Sequence, residues 1–319
     1  MAARSHFEAA APLVTRFAPS PTGQLHLGHL AHAAWVWGVA DALGARVIVR
    51  IEDHDRGRSR VEYETGLLSD LAWLGFPCDD PSMASLERRP SPFRQSDCDA
   101  AYQAALELLI GQGRVYGCDC SRSVIAAQIG DGVMAGEELR YPGTCRDRGL
   151  PLAGHGLRVR LPEDEIGFQD LRLGPHRQRP AGQCGDLLIR DRTGQWSYQF
   201  AVTVDDLRHG VTLVIRGEDL LASTGRQILL ARLLGRTDPP RFLHHPLILD
   251  PTGAKLSKRH RALSLAAMRA AGRPPEDLLG EALYRTGLLE RSRPTRVERL
   301  GSLFGGSGLL NGVIGQGEG

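Results

Sequence analysis

At 319 residues, with 42% hydrophobic and 24% charged side chains, the chain has an ordinary globular composition and room for two or three compact units. A net charge of +2 excludes nucleic-acid binding by overall charge, so any such surface must be a local patch. No run reaches membrane-spanning length and the start, MAARSHFEAAAP, lacks the apolar core of a secretory signal; the expectation is a cytoplasmic protein with no membrane partner.

Pro12 to Thr15 has the apolar character of a strand, a Pro/Ser/Thr/Gly turn follows, and residues 31–43 place apolar side chains at helical spacing. The stretch Arg16–Leu30, RFAPSPTGQLHLGHL, is thus a strand–loop–helix junction. Parallel α/β sheets use such junctions to offer backbone N–H groups and a positive helix end to phosphate. His26 and His29 fall three apart, on one side of a first helical turn, and Gly28 between them lets a ligand approach the backbone without meeting a Cβ. Taken alone, the pair is as compatible with two polar residues at a helix start.

Arg46–Ile51 reads as a buried parallel strand running into Glu52-Asp53-His54-Asp55, which completes a βαβ unit. Ligands in such sheets bind beyond the carboxyl ends of strands, so Arg16 and Glu52 are expected to face one site, while Asp53 and Asp55 stay open between function and a solvated turn. Residues 60–75 and 97–113 read as amphipathic helices, and the proline-punctuated segment 79–96 as a loop.

From Val115 the texture changes. Three of the six cysteines, Cys118, Cys120 and Cys145, crowd together with Tyr141 four residues before the last of them. In a reducing compartment such crowding points to a metal before a disulfide; Tyr141, His155 and water compete as fourth ligand, and three reduced thiols in a small subdomain are the alternative. Residues 151–186 read as an irregular β-containing insertion with the short runs LRVRL and GFQDL.

Residues 185–190 and 211–217 read as two strands ending in charged residues, as in the second half of a doubly wound sheet, with the run Trp196–Asp206 between them. Tyr198 and Arg216 are the polar groups expected to aim at a ligand, a half-buried core ring being the alternative for Tyr198. A helix follows Asp219, short helices are expected over 262–289, and the last stretch, 301–319, with eight glycines, reads as a disordered tail. Of 39 Lys plus Arg only two are lysine, Lys255 and Lys258, both in GAKLSKRH. A compact, mobile ammonium follows a phosphate oxygen where guanidinium does not, so this pair reads as a second phosphate-binding element.

Together these residues resemble a known family. APSPTGQLHLGH resembles the HIGH motif of class I aminoacyl-tRNA synthetases and KLSKR their KMSKS loop, with Arg259 where a small polar residue often sits. RFAPSPTG, RIEDHD, SYQFAVTVDD and IRGEDLLAST resemble the glutamyl/glutaminyl branch, so the likeness spans about Val14 to Lys258. Cys118-x-Cys120…Tyr141-x-x-x-Cys145 resembles the zinc site of the glutamyl-Q tRNA(Asp) synthetases, truncated paralogues that attach glutamate to the queuosine base in the anticodon of tRNA(Asp). The 60 residues after Arg259 leave no space for the helical anticodon-binding domain of an ordinary glutamyl-tRNA synthetase, which favours the truncated group.

The resemblance implies an α/β Rossmann-type doubly wound parallel sheet, an inserted zinc-containing α+β subdomain and a short helical C-terminal segment. The expected units are 12–115 and 187–260 for the two catalytic halves, 116–186 for the insert, 261–300 for the helical segment and 301–319 for the tail. It implies that Arg16, Phe17, Ala18, Pro19, Ser20, Glu52, Tyr198 and Arg216 hold glutamate, and that His26, Gly28, His29, Lys255 and Lys258 hold ATP, the His and Lys pairs being catalytic. Cys118, Cys120, Tyr141 and Cys145 would hold one structural Zn²⁺, Mg²⁺ would arrive with ATP, and the partner would be queuosine-containing tRNA(Asp) acting on a monomer. The alternatives are an ordinary glutamyl-tRNA synthetase without its anticodon-binding domain, or a non-catalytic RNA-binding paralogue.

Overall fold

Short runs rich in Val, Ile, Leu and Phe form most strands of the computed structural model, which describes residues 12–78, 81–129, 139–249 and 263–310. In chain order they are β1 (Val14–Phe17), β2 (Arg46–Val49), β3 (Val115–Cys118), β4 (Gly156–Val159), β5 (Ile166–Asp170), β6 (Gly174–Gln178), β7 (Leu187–Arg190), β8 (Leu213–Gly217) and β9 (Arg241–His245). The helices are α1 (Leu27–Leu43), α2 (Val61–Leu74), α3 (Met83–Glu87), α4 (Asp99–Gly111), α5 (Arg122–Ile129), α6 (Pro180–Cys184), α7 (Tyr198–Arg208), α8 (Thr224–Leu233), α9 (Leu265–Ala270), α10 (Pro275–Arg285) and α11 (Leu300–Gly306).

β1 and β2 pair in parallel from Val14↔Arg46 to Phe17↔Val49, and β8 and β9 from Leu213↔Arg241 to Gly217↔His245. The Thr212 N–H donates to the Val14 carbonyl at 2.9 Å, which sets the two pairs side by side in the order β2-β1-β8-β9. The chain steps outward in opposite directions from the β1/β8 junction, so this is the topological switch point at which open α/β sheets bind ligands. β5 joins β9 in parallel at Asp170↔Phe242 and carries β6 antiparallel at the sheet's edge. The expected doubly wound parallel core is present.

A separate antiparallel sheet, β3-β4-β7, frames the insert. It corrects one strand expectation. Residues 187–190 pair with β4, not with the parallel strands, because Leu187 and Leu188 register against Val159 and Arg158 of the insert.

Two further readings change, those of the glycine-rich tail and of the loop 79–96, and the run without an assigned element forms a helix. The run Tyr198–Arg208 is helix α7, although Phe200, Val202 and Val204 alternate as in a strand. Phe200, Ala201 and Val204 also share one helical face, and burying that face brings Asp205 and Asp206 to buried arginines, so tertiary contacts override the β-branched composition. Part of the expected glycine-rich tail is ordered as α11, with Phe304 fully buried edge-on against Trp35 at 4.9 Å. Two glycines, one on each helix, allow this close packing. A Cβ on Gly38 of α1 would lie 2.2 Å from the Phe304 ring, and one on Gly301 would lie 1.9 Å from the Asp41 carboxylate. Residues 311–319 lie outside the described residues. The expected loop 79–96 contains α3 and a 3-10 turn over Gln95–Asp97.

α1 is enclosed between the sheet and α10 and α11, which explains why its sequence is apolar on all sides and not striped. Its Trp35 indole N–H donates to the Thr286 hydroxyl at 3.1 Å. The helix starts at Leu27, four residues before the expected start, and ends on Gly44 in the left-handed conformation at φ 63°. No described helix is long and apolar enough to cross a membrane.

Candidate active site and metal centre

The switch point is lined by residues from β1, β2, α7 and β8. β1 extends two residues beyond the expected strand, so Arg16 sits within it, buried, its Nε donating to both Asp206 carboxylate oxygens at 3.1 and 3.2 Å. Its NH1 donates to the Ile215 carbonyl at 3.3 Å and so ties β1 to β8. Arg50, just past β2, is completely buried; NH1 donates to Asp206 and NH2 to Glu52 Oε1, both at 2.8 Å, and Nε lies 3.9 Å from Asp205. Burial opposes the Arg50 charge, but Asp206, Glu52 and Asp205 outweigh it and raise its pKa well above the usual value. Burial would likewise raise the Asp206 carboxyl, and Arg16 and Arg50 instead hold it below the ordinary carboxylate range.

Arg50, Asp205 and Asp206 were not singled out as site residues, yet they hold the others in place. The available signal was a charge at the end of an otherwise apolar strand, VIVRI, and paired acids closing SYQFAVTVDD. Among the described residues Glu52 is paired through Oε1, which leaves Oε2 for a cationic ligand. Tyr198 occupies the first turn of α7, where burial and the Glu52 charge push its phenol up to about 12 while Arg216 and Arg16 pull the other way. The hydroxyl therefore stays protonated near neutral pH and acts as a donor.

Arg216 differs from Arg16 and Arg50 in having no carboxylate partner among the described residues. Its Nε donates to His244 Nε2 at 3.0 Å, NH1 to the Gln227 carbonyl oxygen at 2.5 Å and NH2 to the Thr224 hydroxyl at 2.8 Å. All three acceptors are neutral, and burial pulls its pKa down to about 10. A buried guanidinium in that state is built for an anion.

At the β1–α1 junction His26 is the N-cap. Its Nδ1 accepts from the Gly28 N–H at 3.1 Å, while its own N–H donates to His29 Nδ1 at 3.1 Å. With both Nδ1 atoms accepting, the neutral rings carry their protons on Nε2, so two imidazole donors accompany the positive end of a 17-residue helix. A Cβ on Gly28 would lie 3.0 Å from the His26 ring, so the glycine makes room for the cap itself. Phe17 turns its ring into the core, 5.1 Å from Trp37, and Pro19 accepts the Glu52 N–H at 3.1 Å through its carbonyl, so these positions shape the loop and Ala18 and Ser20 remain half-buried beside it.

Asp53 is occupied structurally, accepting the Ser96 N–H at 2.8 Å and hydroxyl at 2.6 Å, and Asp55 pairs with exposed Arg58. Lys255 and Lys258 lie outside the described residues.

In the insert, the sulfurs of Cys118, Cys120 and Cys145 all lie within 4.8 Å of one another, drawn together by the end of β3 and the turn after Tyr141. The Tyr141 oxygen is 3.5 Å from Cys118 Sγ and accepts the Cys145 N–H at 2.8 Å. Tyr141 can reach this point because Gly185 at φ 68° leaves its backbone uncrowded; a Cβ there would lie 2.1 Å from the Tyr141 carbonyl oxygen. His155 instead bonds the Ala153 carbonyl and is not part of the cluster. Arg158 Nε donates to Cys118 Sγ at 3.3 Å and its guanidinium stacks 3.7 Å over the Tyr141 ring, while Arg148 donates to Cys145 Sγ at 3.5 Å. Three convergent thiols, two of them with guanidinium donors at their sulfurs, suit thiolates around a soft divalent ion, so the donor set fits zinc.

The family described as the catalytic domain of class I tRNA synthetases (E and Q) matches residues 12–301. A glutamyl-Q tRNA(Asp) synthetase of Symbiobacterium thermophilum is 44% identical over 302 residues, covering 92% of each chain. That of Rhodobacter capsulatus is 41% identical and covers 83% of this chain and 98% of its own. A crystal structure of a glutamate tRNA ligase from Elizabethkingia meningosepticum, in complex with its amino acid, superposes with a TM-score of 0.72 at 26% identity over 90% of this chain. This chain spans 64% of that ligase's length.

Proposed function

We propose that this chain, which belongs to the class I tRNA synthetase family and within it to the glutamyl-Q tRNA(Asp) synthetases, activates glutamate with ATP and transfers it to the queuosine base in the anticodon of tRNA(Asp). The observation that carries the reading is the switch-point cluster of Arg16, Glu52, Tyr198 and Arg216, in which Arg16 lies on the strand whose following loop leads into the His26/His29 helix cap.

Arg16 NH2 and the two uncommitted N–H groups of Arg216 would hold the glutamate carboxylates, Glu52 Oε2 the α-ammonium, and the Tyr198 hydroxyl would donate to a carboxylate oxygen. His26, His29 and the start of α1 would hold one side of the ATP triphosphate, with Gly28 in the cap. Lys255 and Lys258 would close on the other side, and Mg²⁺ would enter bound to ATP. An α-carboxylate oxygen attacks the α-phosphorus, the bond from that phosphorus to the bridging oxygen of the β-phosphate breaks, and pyrophosphate leaves. A hydroxyl of the modified base then attacks the acyl carbon, loses its proton, and AMP leaves. Alignment and charge neutralisation supply most of such a barrier reduction, which is what fixed guanidiniums and paired lysines provide. Both co-substrates, ATP and tRNA, support a cytoplasmic location.

Labelled glutamate is expected on tRNA(Asp) that carries queuosine, and not on the same tRNA lacking it or on tRNA(Glu). Label on a terminal ribose would identify an ordinary glutamyl-tRNA synthetase activity, and no glutamate-dependent pyrophosphate exchange a non-catalytic paralogue.

We also propose one structural Zn²⁺ per chain, held by Cys118, Cys120, Cys145 and the Tyr141 oxygen, which would cross-link the start of the insert to the segment around Tyr141. Cys145→Ser is expected to reduce bound zinc from about one per chain to a small fraction, with a lower thermal midpoint. Metal analysis of the purified protein checks this, and equal zinc in variant and wild type would remove Cys145 from the ligand set.

A further inference from the structure

We infer that Asp170 and His244 are positioning residues that hold the Arg216 guanidinium in register for the carboxylate of the amino-acid substrate. The inference rests on the glutamate reading above and concerns how its anion-binding arginine is kept both oriented and charged.

Asp170 closes β5 and is fully buried. Its Oδ1 accepts the backbone N–H groups of Arg172 at 3.0 Å and Leu173 at 2.8 Å, which fixes the carboxylate on the turn between β5 and β6. Its Oδ2 accepts the His244 backbone N–H at 3.0 Å and approaches His244 Nδ1 at 2.6 Å. A carboxylate that accepts four bonds leaves the imidazole one role at Nδ1, that of donor. The proton is then on Nδ1 and the lone pair on Nε2. That lone pair accepts the Arg216 Nε–H at 3.0 Å. β5, β9 and β8 lie side by side, so the three residues form a row across the sheet.

The interposed imidazole has a physical purpose. A carboxylate placed directly on Arg216, as Asp206 is on Arg16 and Arg50, would neutralise it and compete with the incoming anion. A neutral ring transmits the orientation set by Asp170 without cancelling the charge. Gln227 and Thr224, also neutral, fix the remaining rotation. A guanidinium has five N–H groups, and three are engaged; the two left, one on each terminal nitrogen, form the fork that matches a carboxylate.

The test is glutamate-dependent ATP–pyrophosphate exchange with Asp170→Asn, His244→Leu and His244→Gln, alone and combined with Arg216→Lys. Asp170→Asn and His244→Leu are expected to raise KM for glutamate about tenfold or more while KM for ATP stays within about twofold. His244→Gln, which returns an acceptor oxygen near the Nε2 position, is expected to recover part of the loss. In the Arg216→Lys background His244→Leu should add little further, because both changes act through the same guanidinium. If Asp170→Asn does not fold, the two His244 variants decide. Wild-type exchange with KM for glutamate unchanged in His244→Leu, or with equal increases for glutamate and ATP, would overturn the relay alone. A wild-type protein that shows no glutamate-dependent exchange would instead overturn the activity and, with it, the substrate the relay serves.

Discussion

Arg216→Ala is expected to lower kcat/KM for glutamate in pyrophosphate exchange by roughly a hundredfold or more, with KM for ATP changed by less than about threefold. Two charge-assisted hydrogen bonds at about 1.5–3 kcal/mol each correspond to at least that loss. The asymmetry between the two substrates follows from position: Arg216 lies at the end of β8, whereas the elements assigned to ATP are the α1 cap and KLSKR. Arg216→Lys should retain the charge and still lose most of the effect, because an ammonium has no fork and cannot satisfy His244, Gln227 and Thr224 together. Parallel losses for glutamate and ATP would show that the pocket had collapsed, and would remove Arg216 as a dedicated carboxylate ligand.

The second large effect is on stability. Arg50→Met, similar in length and apolar, is expected to destabilise the fold by about 3–5 kcal/mol, because it leaves Glu52, Asp205 and Asp206 with a buried cation missing from their centre. The pH dependence has a definite sign. In the native protein the Asp206 carboxyl lies below its ordinary range, so its contribution is present above the unfolded-state value and is lost as pH falls through the folded-state value. Without Arg50 burial disfavours the charged carboxylates more strongly, so the penalty, full near neutrality, would ease as they take up protons. The gap in urea midpoint between wild type and variant should therefore narrow from pH 7 to pH 5. A gap that is constant or widens would mean that the loss is one of packing and not of charge.

Most of the candidate site was legible in the sequence because its elements are local. A strand that runs into PSPTG and then a helix start needs only neighbouring residues to be recognised, and the His26/His29 cap is complete within four positions. The same holds for Cys118 and Cys120 on one strand end. Tyr141 was legible through a family pattern, and its place beside Cys118 depends on the close approach that Gly185 permits.

What the amino-acid order determined by itself was the chemistry on offer: a helix-capping histidine pair, a lone pair of lysines, a cluster of thiols, and charges at strand ends. Tertiary structure decided which charges meet. Arg16 reaches Asp206 across 190 positions and Arg50 reaches it across 156. No periodicity encodes such pairings, since they exist only once β1, β2 and α7 are packed. The same reason turns QFAVTV into a helix and seats Phe304 of α11 against Gly38 of α1: local propensity is worth tenths of a kcal/mol per residue, and burying Phe200 or Phe304 is worth about 1.5–3.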